Sequence, residues 1–440
     1  METKIIFYKE KRFKETPIGK IPKDWKIEKL EKVVSLCQSG IWGDDPVPGE
    51  ISYPVIRSTE ITHDGKIDLS TVALRKIPKN KITRYQLQDG DILVVSSSGS
   101  SHLIGRVALF HHPNDGRVYL FSNFMIRLRP KNTDSRFLYY FLNSTSYYSF
   151  LRSLQQTSTG LRNLSKKKLL QLNIPLPLLE EQKAIAHVLS TVDKAIQKTN
   201  EIIEKIKRLK KGLMQELLTK GIRHKEFKNT EIGRIPKEWK VVRLEELIDL
   251  KSGQYFKYSE FRSSGVRCFK IDNVGFGEIL WETVTFLPKN YLEKYPELVL
   301  NPSDIVIALN RPIINGKIKV GMLGEEDCPS ILYQRVGKII LKNKTRMDKR
   351  YLFFVLMGEY FKQQLYRSLI GTDQPYIRTP SFLRIRIALP PFNEQKKIAE
   401  ILSTVNKMLE VEKKKRRRLK RIKKAMMNLL LTGKIRVKVR

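Results

Sequence analysis

EQKAIAHVLSTVDK, residues 181–194, returns as EQKKIAEILSTVNK at 394–407. The offset of 213 holds over 174–223 against 387–436, where 23 of 50 positions are identical without a gap, so the chain carries a true internal repeat. Each copy follows a proline-bearing turn, Pro175 and Pro177 in one and Pro390 and Pro391 in the other. Each then runs about 40 residues without proline and closes near a glycine, Gly221 or Gly433. Proline before, acid in the first turn, basic residues late and glycine after are the punctuation of a helix. At about 1.5 Å per residue such a helix spans roughly 60 Å. That exceeds the width of a typical domain, so these helices are expected to bridge between bodies.

The apolar spacing predicts that the two helices pair. Ile185, Leu189, Val192, Ile196, Ile203, Ile206 and Leu213 fall on a 4,3 heptad seam, and Ile398, Leu402, Val405, Leu409, Leu419 and Met426 repeat it. Both seams turn polar in the middle, at Thr199 in one and at Glu412 and Arg416 in the other. An antiparallel pair sets middle against middle, so the polar positions coincide. The competing arrangement is two separate amphipathic helices, each packed on its own domain.

Eighty-three basic against 45 acidic side chains give a net charge of +38, and the natural partner of such a chain is a polyanion, nucleic acid first. The densest run, KKKRRRLKRIKK at 413–424, lies inside the second helix, and EKIKRLKK at 204–211 occupies the matching place in the first. From these runs Lys207, Arg208, Lys210, Lys211, Lys420, Arg421, Lys423 and Lys424 are the expected phosphate contacts. The plainer alternatives are a solvated helix face or a nuclear-localisation tract. A length of 440 residues and 41% hydrophobic content allow two or three domains with sizeable cores. Cys37, Cys268 and Cys328 are too scattered for a disulfide framework or a CxxC metal pattern, which fits a reducing cytoplasm. No signal peptide is evident, and no apolar run approaches the ~18 residues of a membrane span.

Taken in order, the chain shows a second duplicated marker. KRFKETPIGKIPKDWKIEKLEKVVSL at 11–36 matches KEFKNTEIGRIPKEWKVVRLEELIDL at 225–250 in 14 of 26 positions. Trp25 and Trp239 read as core or lid aromatics rather than base-stacking groups. Each marker leads through an amphipathic stretch to a Ser-Gly turn, Ser39-Gly40 or Ser252-Gly253. About 130 residues of short β-like runs follow each marker, with Asp91-Ile92-Leu93 matching Asp304-Ile305-Val306. Short helices are expected at RFLYYFL, 136–142, and RYLFFVL, 350–356. After the matched Asp the two bodies part, SSSGSSHLIGR against LNRPIINGK. A repeated scaffold with divergent loops describes two modules with different ligands.

These residues resemble the specificity subunit of type I restriction–modification systems. The motifs that carry the likeness are Ile21-Pro22-x-x-Trp25 and Ile235-Pro236-x-x-Trp239, Gly90-Asp91-Ile92-Leu93, and Pro390-Pro391-x-x-Glu394-Gln395. The segment from Leu176 to Gln182 is an altered copy lacking the second proline, and Ser303-Asp304 stands where the pattern has Gly-Asp. The resemblance implies an α+β fold: two similar target-recognition domains separated by two long antiparallel helices that form a coiled coil, as a pseudo-two-fold internal repeat. The expected divisions are 1–177, 178–220, 221–390 and 391–440. It also implies that the chain reads a split double-stranded DNA target with a fixed spacer. Its implied partners are two methyltransferase subunits and endonuclease/translocase subunits.

The residues support that reading independently, because two similar modules on a rigid rod in a basic chain make a ruler for DNA. Base-edge readers are sought on the divergent loops. In the first body these are Ser97, Ser98, Ser100, His102 and Arg106, with Thr159 and Arg162 from a second loop. In the second they are Asn310, Arg311, Asn315 and Lys317, with Gln374, Tyr376 and Arg378. Arg311 suits guanine, and Asn310 or Gln374 suits adenine. Catalysis finds little support. GxxxxGK[ST] and an Asn-Pro-Pro-aromatic tetrapeptide are both missing. The six histidines, His63, His102, His111, His112, His187 and His224, form no metal spacing, and Gly275-Phe276-Gly277 lacks the helix of a cofactor loop. No cofactor is expected. The rival readings are a stand-alone nuclease or methyltransferase with a diverged site, and an RNA-binding coiled-coil scaffold.

Overall fold

The computed structural model describes residues 5–62, 64–154 and 163–439. Two compact units divide the chain: Met1–Asn200 with Lys415–Arg440, and Glu201–Lys414. The division cuts through both long helices, Leu179–Leu217 and Phe392–Leu430, each an unbroken 39 residues. Each unit therefore contains one body, the N-terminal part of one helix and the C-terminal part of the other.

Within each unit the two helix segments run antiparallel. In the first, Asp193 pairs with Lys423 at 2.7 Å, and Arg416 donates to the Asn200 side chain at 3.5 Å. In the second, Ile203 and Ile206 form one apolar cluster with Val405 and Leu409. Leu217, farther along the first helix, is buried in the same core as Ile398 and Leu402, which lie earlier on the second. The seam residues thus pack on each other, as the paired reading requires. Thr199, the polar break, is buried, and its hydroxyl donates to the Ala195 carbonyl 2.8 Å away in its own helix.

The first body is built on a four-stranded antiparallel sheet in the order Val34–Ser39, Met125–Pro130, Ile92–Val95, Val107–Leu109. ILVV at 92–95 is buried at every position, which is why it reads as a continuous apolar run rather than an alternation. A smaller sheet orders Leu120–Phe121, Tyr53–Ile56 and Ala73–Arg75. The second body repeats the main sheet as Ile248–Ser252, Val336–Leu341, Ile305–Ala308, Val320–Met322. Its smaller sheet has four strands, Val299–Leu300 being added at one edge beside Ser330–Leu332. The two expected short helices form at Ser135–Phe141 and Lys349–Leu356. Each is capped by an aspartate, Asp134 or Asp348, whose side chain accepts from two backbone N–H groups of the first turn.

The tail is more than a helix end. Ile435–Val439 forms a strand that pairs antiparallel with Ile5–Lys9, Ile5 opposite Val439 and Lys9 opposite Ile435. Its I-R-V-K-V alternation is the period-two signal of a strand. The first and last described strands therefore lie side by side.

Candidate nucleic-acid interface

The two duplicated motifs meet in a joint between body and helix. Trp25, 1% exposed, donates its indole N–H to Glu181 at 3.2 Å, and the fully buried Trp239 does the same to Glu394 at 3.0 Å. The neighbouring glutamines clamp the loop before each short helix. Gln182 accepts from Thr133 and from the Asp134 N–H, at 2.7 and 3.0 Å, and Gln395 accepts from the Asp348 N–H at 2.9 Å. Gly433 and Gly221, both left-handed at φ +68 and +67, pass so close to Pro22 and to Trp239 respectively that a Cβ would collide with the joint. The tryptophans are thus core anchors, and EQ at the helix start is a structural signature.

The joints differ in what holds the glutamate. Arg436, on the terminal strand, grips Glu181 with two nitrogens at 2.6 and 2.7 Å and also binds Asp24 and Glu10. Burial pulls the Arg436 pKa down, but the bonds to Glu181 and Asp24 outweigh it and leave it raised. Arg436 in turn holds the Asp24 carboxyl low. In the second unit His224 Nε2 lies 2.8 Å from Glu394, and the Ile222 N–H donates to the same oxygen at 2.9 Å.

The loops chosen for base reading come together in pairs. Ser97 bridges to Asn163, and Leu164 N–H donates to the Ser96 carbonyl at 2.7 Å. At the same offset of 213, Asn310 bridges to Tyr376, and Ile377 N–H donates to the Leu309 carbonyl at 2.7 Å. Arg311 N–H donates to Pro375 at 2.7 Å, so Asn310, Arg311, Gln374 and Tyr376 gather at one place. Gln374, Tyr376 and Arg378 are exposed. Asn315 and Gly316, at φ +49 and +70, form the tip of the hairpin between Ile313–Ile314 and Lys317–Ile318, and Lys317 is exposed. In the first body Ser98 accepts from the Ser100 N–H at 3.2 Å, and Ser100 and His102 are exposed. Arg106 turns inward instead, half-buried and donating to the Ile61 carbonyl at 3.2 Å. Thr159 and Arg162 lie outside the described residues.

Among the basic helix residues, Arg208, Lys211, Lys420, Arg421 and Lys424 are exposed. The other three make contacts within the protein. Lys207 pairs with Glu204, and Lys423 pairs with Asp193 under the Tyr140 ring. Lys210 is drawn down in pKa by burial and by Lys413 beside it. Sequence reasoning passed over Phe124 and Arg335, which join the loop clusters through their carbonyls: Ser96 N–H donates to Phe124 at 2.9 Å and Leu309 N–H to Arg335 at 2.8 Å. They correspond at an offset of 211 rather than 213, which hid the match. Among the described residues no group of three or more His, Cys, Asp or Glu is arranged to hold a metal ion. No described helix is long and apolar enough to cross a membrane.

Comparison with known proteins gives one consistent picture. The model of the type I restriction modification DNA specificity domain matches residues 22–208 and again 236–421. The MjaVIII specificity subunit of a type I restriction enzyme from Methanocaldococcus jannaschii is 46% identical over 98% of both chains. The putative MjaX specificity subunit of the same organism is 32% identical over 98% of both. The crystal structure of a type I restriction–modification S subunit from M. genitalium is 17% identical, with a TM-score of 0.59 over 94% of this chain and 98% of that one, and shares the fold.

Proposed function

The chain belongs to the type I restriction modification DNA specificity family, and from that premise we propose that it reads a split double-stranded DNA sequence for a restriction–modification enzyme whose chemistry its partners perform. One observation carries the reading. Two bodies with the same main sheet present equivalent loop junctions, Ser97–Asn163 and Asn310–Tyr376, with different residues on each. Equivalent placement with different chemistry is what two readers of two half-sites need. Ser97, Ser98, Ser100 and His102 serve one half-site; Asn310, Arg311, Gln374 and Tyr376 serve the other. Arg208, Lys211, Lys420, Arg421 and Lys424 supply sequence-independent phosphate contacts.

The partners are two methyltransferase subunits and the endonuclease/translocase subunits, and the site of action is the cytoplasm. Apolar side chains left open on the helices support a docking role. In the second unit these are Ile202, Leu209, Ile401, Met408 and Val411, with Met408 half exposed and Val411 at 60%. The spacer between half-sites is set by the helices, each continuous through 39 residues.

The experiment is a binding titration against duplex DNA, single strands and RNA at several salt concentrations. Duplex carrying the split target is expected to win. With ~6–10 phosphates neutralised, affinity falls roughly 10³–10⁵-fold between about 50 and 200 mM salt. A flat salt response, or equal binding to RNA, contradicts the reading.

A further inference from the structure

Two exposed side chains hold the same position in the two bodies. In the first, a turn at 122–125 leads from Leu120–Phe121 into Met125–Pro130, closed by Met125 N–H donating to the Ser122 carbonyl at 3.0 Å. In the second, 333–336 leads from Ser330–Leu332 into Val336–Leu341. Two of the surrounding bonds recur in both bodies. Ser96 N–H on Phe124 at 2.9 Å corresponds to Leu309 N–H on Arg335 at 2.8 Å, and Gly40 N–H on Met125 at 3.3 Å to Gly253 N–H on Val336 at 3.0 Å. Phe124 and Arg335 are therefore counterparts.

The turn is braced from behind. A Cβ on Gly40 would strike the Phe121 carbonyl, and one on Gly253 the Tyr333 carbonyl, so backbone lies directly on backbone and the turn has little room to shift. Yet the side chain at its tip is left in water: Phe124 is 56% exposed. Arg335 is exposed too, and among the described residues its guanidinium has no ion pair or hydrogen bond. Its backbone sits at φ +66, left-handed, as does that of Arg311 at +46. Both arginines adjoin the 309–310 segment, Arg335 accepting from Leu309 N–H and Arg311 following Asn310. Non-glycine residues held in this conformation cluster where a ligand is gripped.

We propose that this turn position reads a base in both bodies. Arg335 grips a guanine through N7 and O6 in the half-site of the second body. Phe124 packs on the methyl group of a thymine in the half-site of the first. The chemistry follows from the side chains: a planar guanidinium fork matches the two acceptors of guanine, and a phenyl ring has only the thymine methyl to recognise in the major groove. A phosphate contact by Arg335 would instead be blind to sequence. The inference rests on the DNA-reading function proposed above and adds the residues that decide one base pair in each half-site.

The test offers the full chain, assembled with its methyltransferase subunits, a library of randomised duplexes and sequences the bound fraction. Wild type is expected to enrich a split motif. Arg335→Ala then stops selecting one guanine in one half-site, discrimination there dropping ~10–100-fold while the other half-site keeps its profile. Arg335→Asn, whose residue tolerates a left-handed backbone, gives the same result and guards against a folding defect in the alanine variant. Phe124→Ala weakens a thymine preference in the other half-site about 4-fold, the worth of one buried methyl group. Uniform loss of affinity with every base preference kept, or profiles unchanged by both substitutions, overturns the inference while the DNA reading stands. A wild-type chain that enriches no split motif overturns the DNA reading and the inference with it.

Discussion

The two joints solve one problem with different chemistry. In both, a helix-start glutamate receives the indole N–H of the marker tryptophan, Glu181 with Trp25 and Glu394 with Trp239. In the first unit the glutamate is locked by Arg436, which also gathers Glu10 and Asp24. In the second a histidine, His224, and one backbone N–H suffice. The difference follows from covalent continuity. At the second joint the chain runs straight from Arg223 and His224 into Phe227–Thr230. At the first, the equivalent stretch is the terminal strand Ile435–Val439, which reaches Ile5–Lys9 only by pairing. A multivalent arginine does there what a peptide bond does in the other unit.

The largest expected effect comes from removing that clasp. Arg436→Ala leaves Glu181 and Glu10 without their cation, and a buried pair broken on one side costs ~3–5 kcal/mol. His224→Ala removes one hydrogen bond to Glu394 and an edge-on ring contact with Trp239, and costs ~1–2 kcal/mol. Urea unfolding gives the totals, and hydrogen exchange assigns each loss to its unit. Equal costs would end the argument from continuity.

Next in size is the docking face. Met408 and Val411 are open in the second unit, whereas their repeat counterparts in the first are Ala195 and Lys198. Met408→Glu with Val411→Glu is expected to weaken one methyltransferase by ~10-fold or more, since each carboxylate must lose its water on docking. Mass measurement of the complex should show the other copy retained. Loss of both copies together would mean that the two docking faces are not independent.

A smaller contrast lies in the aspartate at the start of the central strand. Asp91 is held by Arg129 and Asp304 by Lys338 and Lys349. Burial opposes ionisation of Asp304, but the two lysine hydrogen bonds prevail and its pKa is lowered. The folded form therefore binds fewer protons than the unfolded one. The stabilisation is present above the ordinary aspartate pKa of about 4 and is lost as pH falls through the lowered folded value. Asp304→Asn should flatten this acid limb for the second unit in pH-dependent melting; an unchanged limb contradicts the assignment.

The smallest effect concerns the residue before it. Gly90 has φ +85, and Ser303 is forced into the same left-handed region at +67. Ser303→Gly should stabilise by ~0.5–1 kcal/mol, the relieved strain exceeding the added flexibility of the unfolded chain. Thermal melting checks it, and a loss of stability contradicts it.

How much of this was legible depended on periodicity. The two long helices were legible because Pro177 and Pro391 precede Leu179–Leu217 and Phe392–Leu430 and an apolar seam recurs over several turns. The short strands of the bodies were legible where β-branched runs are fully buried, as at 92–95. The terminal strand escaped notice because five residues of alternation after a helix look like a frayed end until a partner strand is found. Among the candidate readers, Asn310 and Arg311 were chosen on a loop that diverges between the bodies, and the structure sets them beside Gln374 and Tyr376. Arg106 and Lys423 looked free in sequence because the carbonyl and carboxylate that hold them lie far away in the chain. Phe124 and Arg335 were missed because a two-residue change in loop length moved them out of register with the repeat.

The central claim, two independent readers on one chain, is tested most directly by exchange. Residues 41–156 are replaced by those of a relative with a different target, and the sequences bound by the assembled complex are selected from randomised duplexes. A new sequence is expected in one half-site, with the second half-site and the spacer unchanged. A change in both half-sites, or in neither, contradicts it.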